Sequence, residues 1–155
     1  MPSRRDFLAA GGCLLLAVAA ALPAGAANLP VRFLEGSDGG SERRYPIPSD
    51  DSVNVDYGAQ VIVVRLQGVM YAFSLACPHQ QAAIKWLPKD HRFQCTKHGS
   101  RYTEQGVYIS GRATRNLDRF AVARDGQQLV VDLRHWFQSD KDPAGWAAAS
   151  VKLGA

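Results

Sequence analysis

The chain has 155 residues, which is the size of one domain and leaves no room for two. Its formal net charge is +4, and the basic residues are scattered without a long run, so a nucleic-acid-binding function has little support. Docking to an acidic partner protein fits this mild basicity at least as well.

The N-terminus has the layout of an export signal. The adjacent residues Arg4 and Arg5 are followed by Phe-Leu, a long apolar run and a stretch of small residues. The paired arginines resemble those of a twin-arginine signal, although a plain secretory signal has the same overall layout. We therefore predict that residues 1–27 are a twin-arginine-type signal peptide cleaved near Ala26, or else an N-terminal anchor that keeps the protein on the membrane through residues 7–27.

Short strands dominate the rest of the chain. Residues 28–52 are rich in Gly, Ser, Pro and Asp and are predicted to be a linker with a first strand at Val31–Glu35. Turn signals at Gln67-Gly68 and Asp125-Gly126 predict two hairpins. The predicted strands are Gln60–Leu66, Val69–Leu75, Arg92–Cys95, Arg101–Thr103, Val107–Ile109, Phe120–Ala123 and Gln128–Leu133.

The domain organisation follows from this pattern. Many short strands with closely spaced turns predict an all-β barrel or sandwich, here assigned to residues 53–135. The remaining residues, 136–155, are predicted to be a C-terminal tail that contains one helix at Pro143–Ser150.

Two short motifs carry chemistry. Cys77-Pro78-His79 and Cys95-Thr96-Lys97-His98 each follow a predicted strand, and each supplies one thiolate and one imidazole. Two cysteines in an exported domain could form a disulfide, but this leaves the paired histidines unexplained. Four such ligands could also hold zinc, although zinc motifs usually pair like ligands. A [2Fe–2S] centre with two cysteines on one iron and two histidines on the other requires one ligand of each kind from each loop.

The spacing C-x-H, then fifteen residues, then C-x2-H-G-S resembles the Rieske family over residues 58–133. The resemblance implies a β-sandwich or barrel base with an inserted cluster-binding subdomain. It also implies that the thiolates of Cys77 and Cys95 bind the inner iron of a Rieske-type [2Fe–2S] cluster. The imidazoles of His79 and His98 would bind the outer iron.

Two further residues match the Rieske pattern H-G-S-x-Y that follows the last histidine. The resemblance implies that the Ser100 hydroxyl donates to a bridging sulfide and that the Tyr102 hydroxyl donates to the sulfur of Cys77. Such donors stabilise the reduced cluster and raise its potential. The alternatives are an ordinary turn hydroxyl for Ser100 and a half-buried strand aromatic for Tyr102.

The sequence departs from the Rieske subunits of cytochrome bc complexes at two places. The second cysteine of each loop, which forms a bracing disulfide in those subunits, is replaced here by Ala82 and Lys97. Their proline-rich third loop is also not evident, since Gly111–Leu117 contains no proline. The chain is therefore expected to be a disulfide-free variant, as in the small subunit of arsenite oxidase.

The function that the resemblance implies is one-electron transfer by a subunit of a membrane-associated respiratory complex, similar to quinol–cytochrome c reductase or arsenite oxidase. Its expected place is the periplasmic side of the inner membrane, and it is an electron-transfer subunit rather than a stand-alone enzyme. The expected partners are a cytochrome b or a molybdopterin subunit, and a cytochrome c, with quinol as a further candidate. The alternatives are a free-standing Rieske ferredoxin-like donor and a zinc-stabilised binding module. A Rieske oxygenase is excluded, because only His91 and His135 remain for its second iron site.

Overall fold

The computed structural model describes residues 40–154, so the predicted signal segment and the predicted strand Val31–Glu35 lie outside the described residues. The regular structure of these residues is almost entirely β, with one short α-helix. The strands are β1 Glu42–Pro46, β2 Ser52–Asp56, β3 Val61–Leu66, β4 Val69–Ser74, β5 Ile84–Leu87, β6 Arg92–Cys95, β7 Arg101–Thr103, β8 Tyr108–Ser110, β9 Arg119–Asp125, β10 Gln128–Phe137 and β11 Val151–Lys152. A 3-10 helix spans Pro88–Asp90, and the helix α1 spans Pro143–Ala148.

The strands form two antiparallel sheets. The base sheet has the order β1-β10-β9-β4-β3-β2, with β11 paired to β4, and the smaller sheet has the order β5-β6-β7-β8. All four strands of the smaller sheet lie between β4 and β9 in the chain, within an inserted subdomain, residues 75–118. The insertion is closed at its base, since the Ser74 N–H donates to the Asp118 carbonyl at 2.9 Å. The expected fold class, an all-β base with an inserted subdomain, is confirmed.

The hairpin of β3 and β4 shows why its turn could be predicted. Leu66 pairs with Val69, so only Gln67 and Gly68 form the turn, and both have positive φ angles, of 49° and 74°. Two consecutive positive φ angles define the type I′ turn, whose twist matches that of the flanking strands. Glycine adopts this conformation without strain. The hairpin therefore forms in the predicted register.

The folded base extends beyond the predicted limits at both ends. Residues 42–46, which the sequence analysis places in the linker, form β1 and pair with β10. The residues predicted to be a tail also belong to the base, because β10 continues to Phe137 and β11 pairs with β4 through Val151 and Met70. No helix within residues 40–154 is both long enough and apolar enough to cross a membrane.

Two groups of buried side chains form the core. One lies within the base sheet and includes Tyr45, Met70 and Leu129, each at most 1 % exposed. The other joins Phe73 of the base to Phe93 of the inserted subdomain, whose rings meet edge to face at 5.8 Å. The second group also contains both cysteines of the sequence motifs. The motif loops are therefore anchored in a core that the two parts of the molecule share.

Candidate metal centre

Two loops at one end of the inserted subdomain carry the motifs. The first follows β4 and is closed by a hydrogen bond of 2.8 Å from the Cys77 N–H to the Ala82 carbonyl. The second begins where β6 ends and is tied to the first by a hydrogen bond of 3.0 Å from the Thr96 N–H to the Ala83 carbonyl. These bonds hold the two loops side by side without a disulfide.

The two sulfur atoms lie on the inner side of this site. Cys77 and Cys95 are each 1 % exposed, and both are free thiols. Burial raises the pKa of Cys77. For Cys95, burial acts in the same direction, but hydrogen bonds from the backbone N–H groups of His98 and Lys97 outweigh it, so the pKa of this thiol is lowered. The loop that follows Cys95 is thus built to stabilise a thiolate, which is the form that binds metals.

The two imidazoles lie on the outer side. The Nδ1 atoms of His79 and His98 are 3.2 Å apart, and the rings meet nearly at right angles, with an interplanar angle of 79°. Two nitrogen ligands at about 2.0–2.1 Å from one tetrahedral metal lie about 3.3 Å apart, so this separation suits two ligands of a single metal ion. Both rings are partly exposed. Desolvation and the nearby charges of His79, Lys97 and Arg112 lower the pKa of His98, which favours the neutral imidazole that metals bind.

The four side chains therefore form two pairs, sulfur with sulfur in the core and nitrogen with nitrogen at the surface. Within residues 40–154, no group of three or more His, Cys, Asp or Glu side chains gathers around the position of one metal ion. A [2Fe–2S] centre of mixed ligation requires a thiolate pair on one iron and an imidazole pair on the other. The residues present fit that group.

Tyr102 places a hydroxyl beside the sulfur pair. Its Oη atom lies 3.3 Å from Cys77 Sγ, and its side chain is fully buried. Burial raises the pKa of this phenol well above its usual range, and the adjacent Cys77 adds to the effect. The phenol therefore keeps its proton and can donate it to sulfur. This is the contact that the family resemblance implied.

Ser100 lies under the second loop and is fully buried. Its Oγ accepts hydrogen bonds of 3.1 Å from the backbone N–H groups of both Arg112 and Ala113. A serine hydroxyl has two acceptor positions and one proton, so the proton of Ser100 remains available for a further acceptor. The same two bonds fix its orientation.

Residues 111–117 also contribute to this site, which their sequence did not reveal. This segment lacks the prolines of the third loop in cytochrome bc subunits, yet it packs against the second motif loop. Gly111 has a φ of 114°, and a Cβ atom on it would lie 2.5 Å from the Cα of Ser100. Ala113 and Leu117 are buried in the shared core. Gly111 was the one sequence signal for this contact, because glycine is favoured where the backbone has a positive φ or lies very close to a neighbouring segment.

The remaining histidines have partners of their own. His91 Nδ1 lies 3.0 Å from Glu104, and His135 Nδ1 lies 2.7 Å from Asp132, with both imidazoles exposed. Trp86 packs against Phe93 at 4.8 Å between ring centroids. It therefore forms part of the support beneath the motif loops.

Known proteins place this site in a family. A family model described as the Rieske [2Fe–2S] domain matches residues 43–121, about half of the chain. The cytochrome b6-f complex iron-sulfur subunit of Chlorobaculum thiosulfatiphilum is 29% identical over 72 residues, which cover 46% of this chain and 40% of that protein. The cytochrome b6-f complex iron-sulfur subunit 2 of Trichormus variabilis is 38% identical over 58 residues, which cover 36% of this chain and 33% of that protein.

Among solved structures, the cyanobacterial plasma membrane Rieske protein PetC3 from Synechocystis PCC 6803 matches with a TM-score of 0.42 and 24% identity, over 59% of this chain and 85% of that one. The chain spans less than half the length of the curated relatives described above. The family match covers both motif loops and most of the base sheet. The chain belongs to the Rieske [2Fe–2S] domain family, whose members bind a [2Fe–2S] cluster.

Proposed function

We propose that the protein carries one electron at a time on a Rieske [2Fe–2S] cluster, as a subunit of a membrane-associated respiratory complex. Cys77 and Cys95 would hold one iron of the cluster, and His79 and His98 would hold the other. The observation that carries the proposal is the separation of the ligands into a buried sulfur pair and a half-exposed nitrogen pair. Each pair contains one residue from each motif loop, so each loop would supply one ligand to each iron.

The hydroxyl groups of Tyr102 and Ser100 affect the reduction potential of the site. When bound, the cluster accepts one electron and so gains one negative charge. The Tyr102 hydroxyl, 3.3 Å from Cys77 Sγ, donates to a sulfur on which that charge falls. Ser100, whose oxygen accepts from two backbone N–H groups, would supply the second donor that the family pattern implies. Donors to sulfur favour the reduced form and raise the potential.

The protein also controls protons and solvent at this site. Burial of Cys77 and Cys95 keeps water from the sulfur side. On the histidine side, a metal held by the two facing Nδ1 atoms would leave each Nε2 to carry the ring proton. Because an imidazole binds its outer proton more tightly when the negative charge beside it increases, His98 would couple electron uptake to proton uptake.

Iron analysis and spectroscopy test the proposal on the full chain made in cells that assemble iron–sulfur clusters. We expect about two irons per chain, visible absorption and, after reduction, an EPR signal with an average g of about 1.9. Cys95→Ser and His98→Ala should abolish the signal. The matched control is His91→Ala, which removes an exposed histidine of the same subdomain and should retain it.

A zinc-stabilised binding module is the competing function for the same four residues. It predicts a colourless protein that contains one zinc per chain, loses metal in the Cys95→Ser variant and gives no EPR signal after reduction. That result in cluster-assembling cells would disprove the electron-transfer function. A free-standing ferredoxin-like donor would instead carry the cluster but purify without a cytochrome.

We further propose that the partners include a cytochrome and that the site faces the periplasm. Two observations support this: the relatives are named as subunits of cytochrome b6-f complexes, and Arg4 and Arg5 open a segment with the layout of an export signal. Replacement of both arginines by lysine should leave the protein in the cytoplasm. Affinity purification of the native protein from solubilised membranes should recover a cytochrome b, or a molybdopterin subunit if the complex is of the arsenite-oxidase type. Recovery of neither would contradict complex membership.

A further inference from the structure

The charge of the protein is concentrated in one part of the fold. The inserted subdomain, residues 75–118, contains seven lysines and arginines against three acidic residues, for a net charge of +4. The rest of the described chain, residues 40–74 and 119–154, contains eight basic and eight acidic residues and is neutral. The net positive charge of the described residues thus lies on the subdomain that carries the candidate metal centre.

Two of the three acidic residues of the subdomain are paired with arginines of the same subdomain, and the third lies beside a histidine. Asp90 lies 2.9 Å from Arg92, Asp118 lies 3.0 Å from Arg115, and Glu104 pairs with His91. Among residues 40–154, no carboxylate lies within ion-pair distance of the five other basic residues of the subdomain, all of them exposed: Lys85, Lys89, Lys97, Arg101 and Arg112.

Strand register places two of these on one face of the small sheet. Lys85 of β5 pairs with Gln94 of β6, and Gln94 pairs with Arg101 of β7. Directly paired residues project from the same face. The alternating residues, which include Phe93 and Tyr102, point into the core. Lys85, Gln94 and Arg101 therefore form a row across the outer face.

Two more positive charges extend this face to the histidine tip. Lys97 immediately precedes His98, and the backbone N–H of Arg112 is bonded to Ser100 in the same loop. An exposed apolar side chain lies on the neighbouring strand β8, where Ile109, 52 % exposed, is the unpaired residue between Tyr108 and Ser110 at the irregularity opposite Arg101. The basic face is defined here by these five side chains: Lys85, Lys97, Arg101, Arg112 and Ile109.

We propose that the basic face docks the acidic surface of a protein redox partner, which exchanges electrons through His79 and His98. This proposal rests on the proposed electron-transfer function. An exposed apolar side chain bordered by charges of one sign fits a protein interface with an apolar centre and a polar rim. Like-signed rim charges increase the association rate of a partner of opposite sign and make that rate depend on salt. The partner is a redox protein because the face borders the imidazoles through which electrons leave.

Stopped-flow oxidation of the reduced full-length holoprotein tests this, with one strongly acidic and one strongly basic soluble c-type cytochrome as probes. We expect the acidic cytochrome to react faster at low ionic strength and its rate to fall as salt is added. The double variant Lys85→Glu/Arg101→Glu should slow the acidic cytochrome on the order of tenfold at low salt. The matched control Lys141→Glu/Lys152→Glu makes the same charge change on the base and should alter the rate by less than about twofold.

Other outcomes separate the possible explanations. Equal slowing by both double variants would overturn the proposal, because net charge rather than the basic face would then set the rate. Binding of the wild type to anionic phosphatidylglycerol vesicles, lost in Lys85→Glu/Arg101→Glu without a change in cytochrome rate, would assign the face to a membrane and also overturn it. Lack of a reduced EPR signal would instead reject the electron-transfer function itself.

Discussion

The guanidinium of Arg119 lies 3.6 Å from the centre of the Trp146 ring, on which it stacks. Arg119 is only 4 % exposed and donates hydrogen bonds to the carbonyl oxygens of Trp146 and Gln105, at 2.9 and 2.8 Å. Burial lowers its pKa to about 10. One side chain thus joins the base sheet, the inserted subdomain and the C-terminal helix.

Removal of this side chain should destabilise the fold. We expect Arg119→Met to lower the free energy of unfolding by about 3 kcal/mol, because two partly buried carbonyls lose their donors and the ring stacking is lost. Urea denaturation of the protein measures this. The control is Arg124→Met, an exposed arginine on the same strand β9, which should cost less than about 0.5 kcal/mol. Equal losses in the two variants would show that Arg119 does not join these segments.

The Tyr102 hydroxyl should set part of the redox potential. Tyr102→Phe removes the donor to Cys77 Sγ, so we expect the potential to fall on the order of 60 mV, which corresponds to about 1.4 kcal/mol for one electron. Protein-film voltammetry provides the measurement. In the control Tyr108→Phe, the hydroxyl removed is bonded to the Gly111 carbonyl at 2.7 Å and not to sulfur, so the potential should stay unchanged. A fall of similar size in both variants would exclude a specific role for Tyr102.

The close approach of Gly111 to Ser100 should be intolerant of any side chain. We expect Gly111→Ala to cost at least about 2 kcal/mol of stability and to reduce cluster occupancy, because the added Cβ would lie 2.5 Å from Ser100 Cα at a φ of 114°. Gly126→Ala is the control, since this turn glycine also has a positive φ, of 59°, but no neighbour within 4 Å of an added Cβ. It should cost about 1 kcal/mol and leave occupancy intact. Iron content and thermal unfolding report the two quantities.

The potential should depend on pH. Reduction adds negative charge beside His98, so its Nε2 proton would be held more tightly in the reduced protein than in the oxidised one. The potential is therefore expected to be constant at acidic pH and to decrease as pH rises through the histidine pKa of the oxidised form. Voltammetry of the holoprotein across the pH range tests this. A potential that stays flat into strongly alkaline solution would rule out the coupling.

The parts of the fold that could be predicted are those whose causes lie close together in sequence. The β3–β4 hairpin depends on its own two-residue turn, and the motif loops depend on ligand spacing within a few residues. The strand β1 could not be found because its sequence, ERRYP, has no apolar alternation, and its pairing with β10 creates it. The short strand β5 was also not predicted, because its pairing with β6, rather than its own sequence, determines that it forms a strand.

The candidate site also has features that could be predicted from the sequence and features that could not. The contact between Tyr102 and Cys77 was expected from the family pattern and is present at 3.3 Å. Two sets of contacts were not predicted. These are the contacts of residues 111–117 with Ser100 and the hydrogen bonds by which Arg119 joins separate segments. Both join segments that are distant in sequence, and no local property of one arginine or one glycine reveals its distant partners. Such contacts become visible only when the chain is folded.

The hydrogen bond between Ser74 and Asp118 has a consequence for how this protein could have diversified. The two ends of the inserted subdomain leave neighbouring strands, and Phe73 pairs directly with Arg119 across that junction. A loop of almost any length can be accommodated between adjacent antiparallel strands at modest entropic cost. The metal-bearing module can therefore change in length and sequence while the scaffold strands keep their pairing.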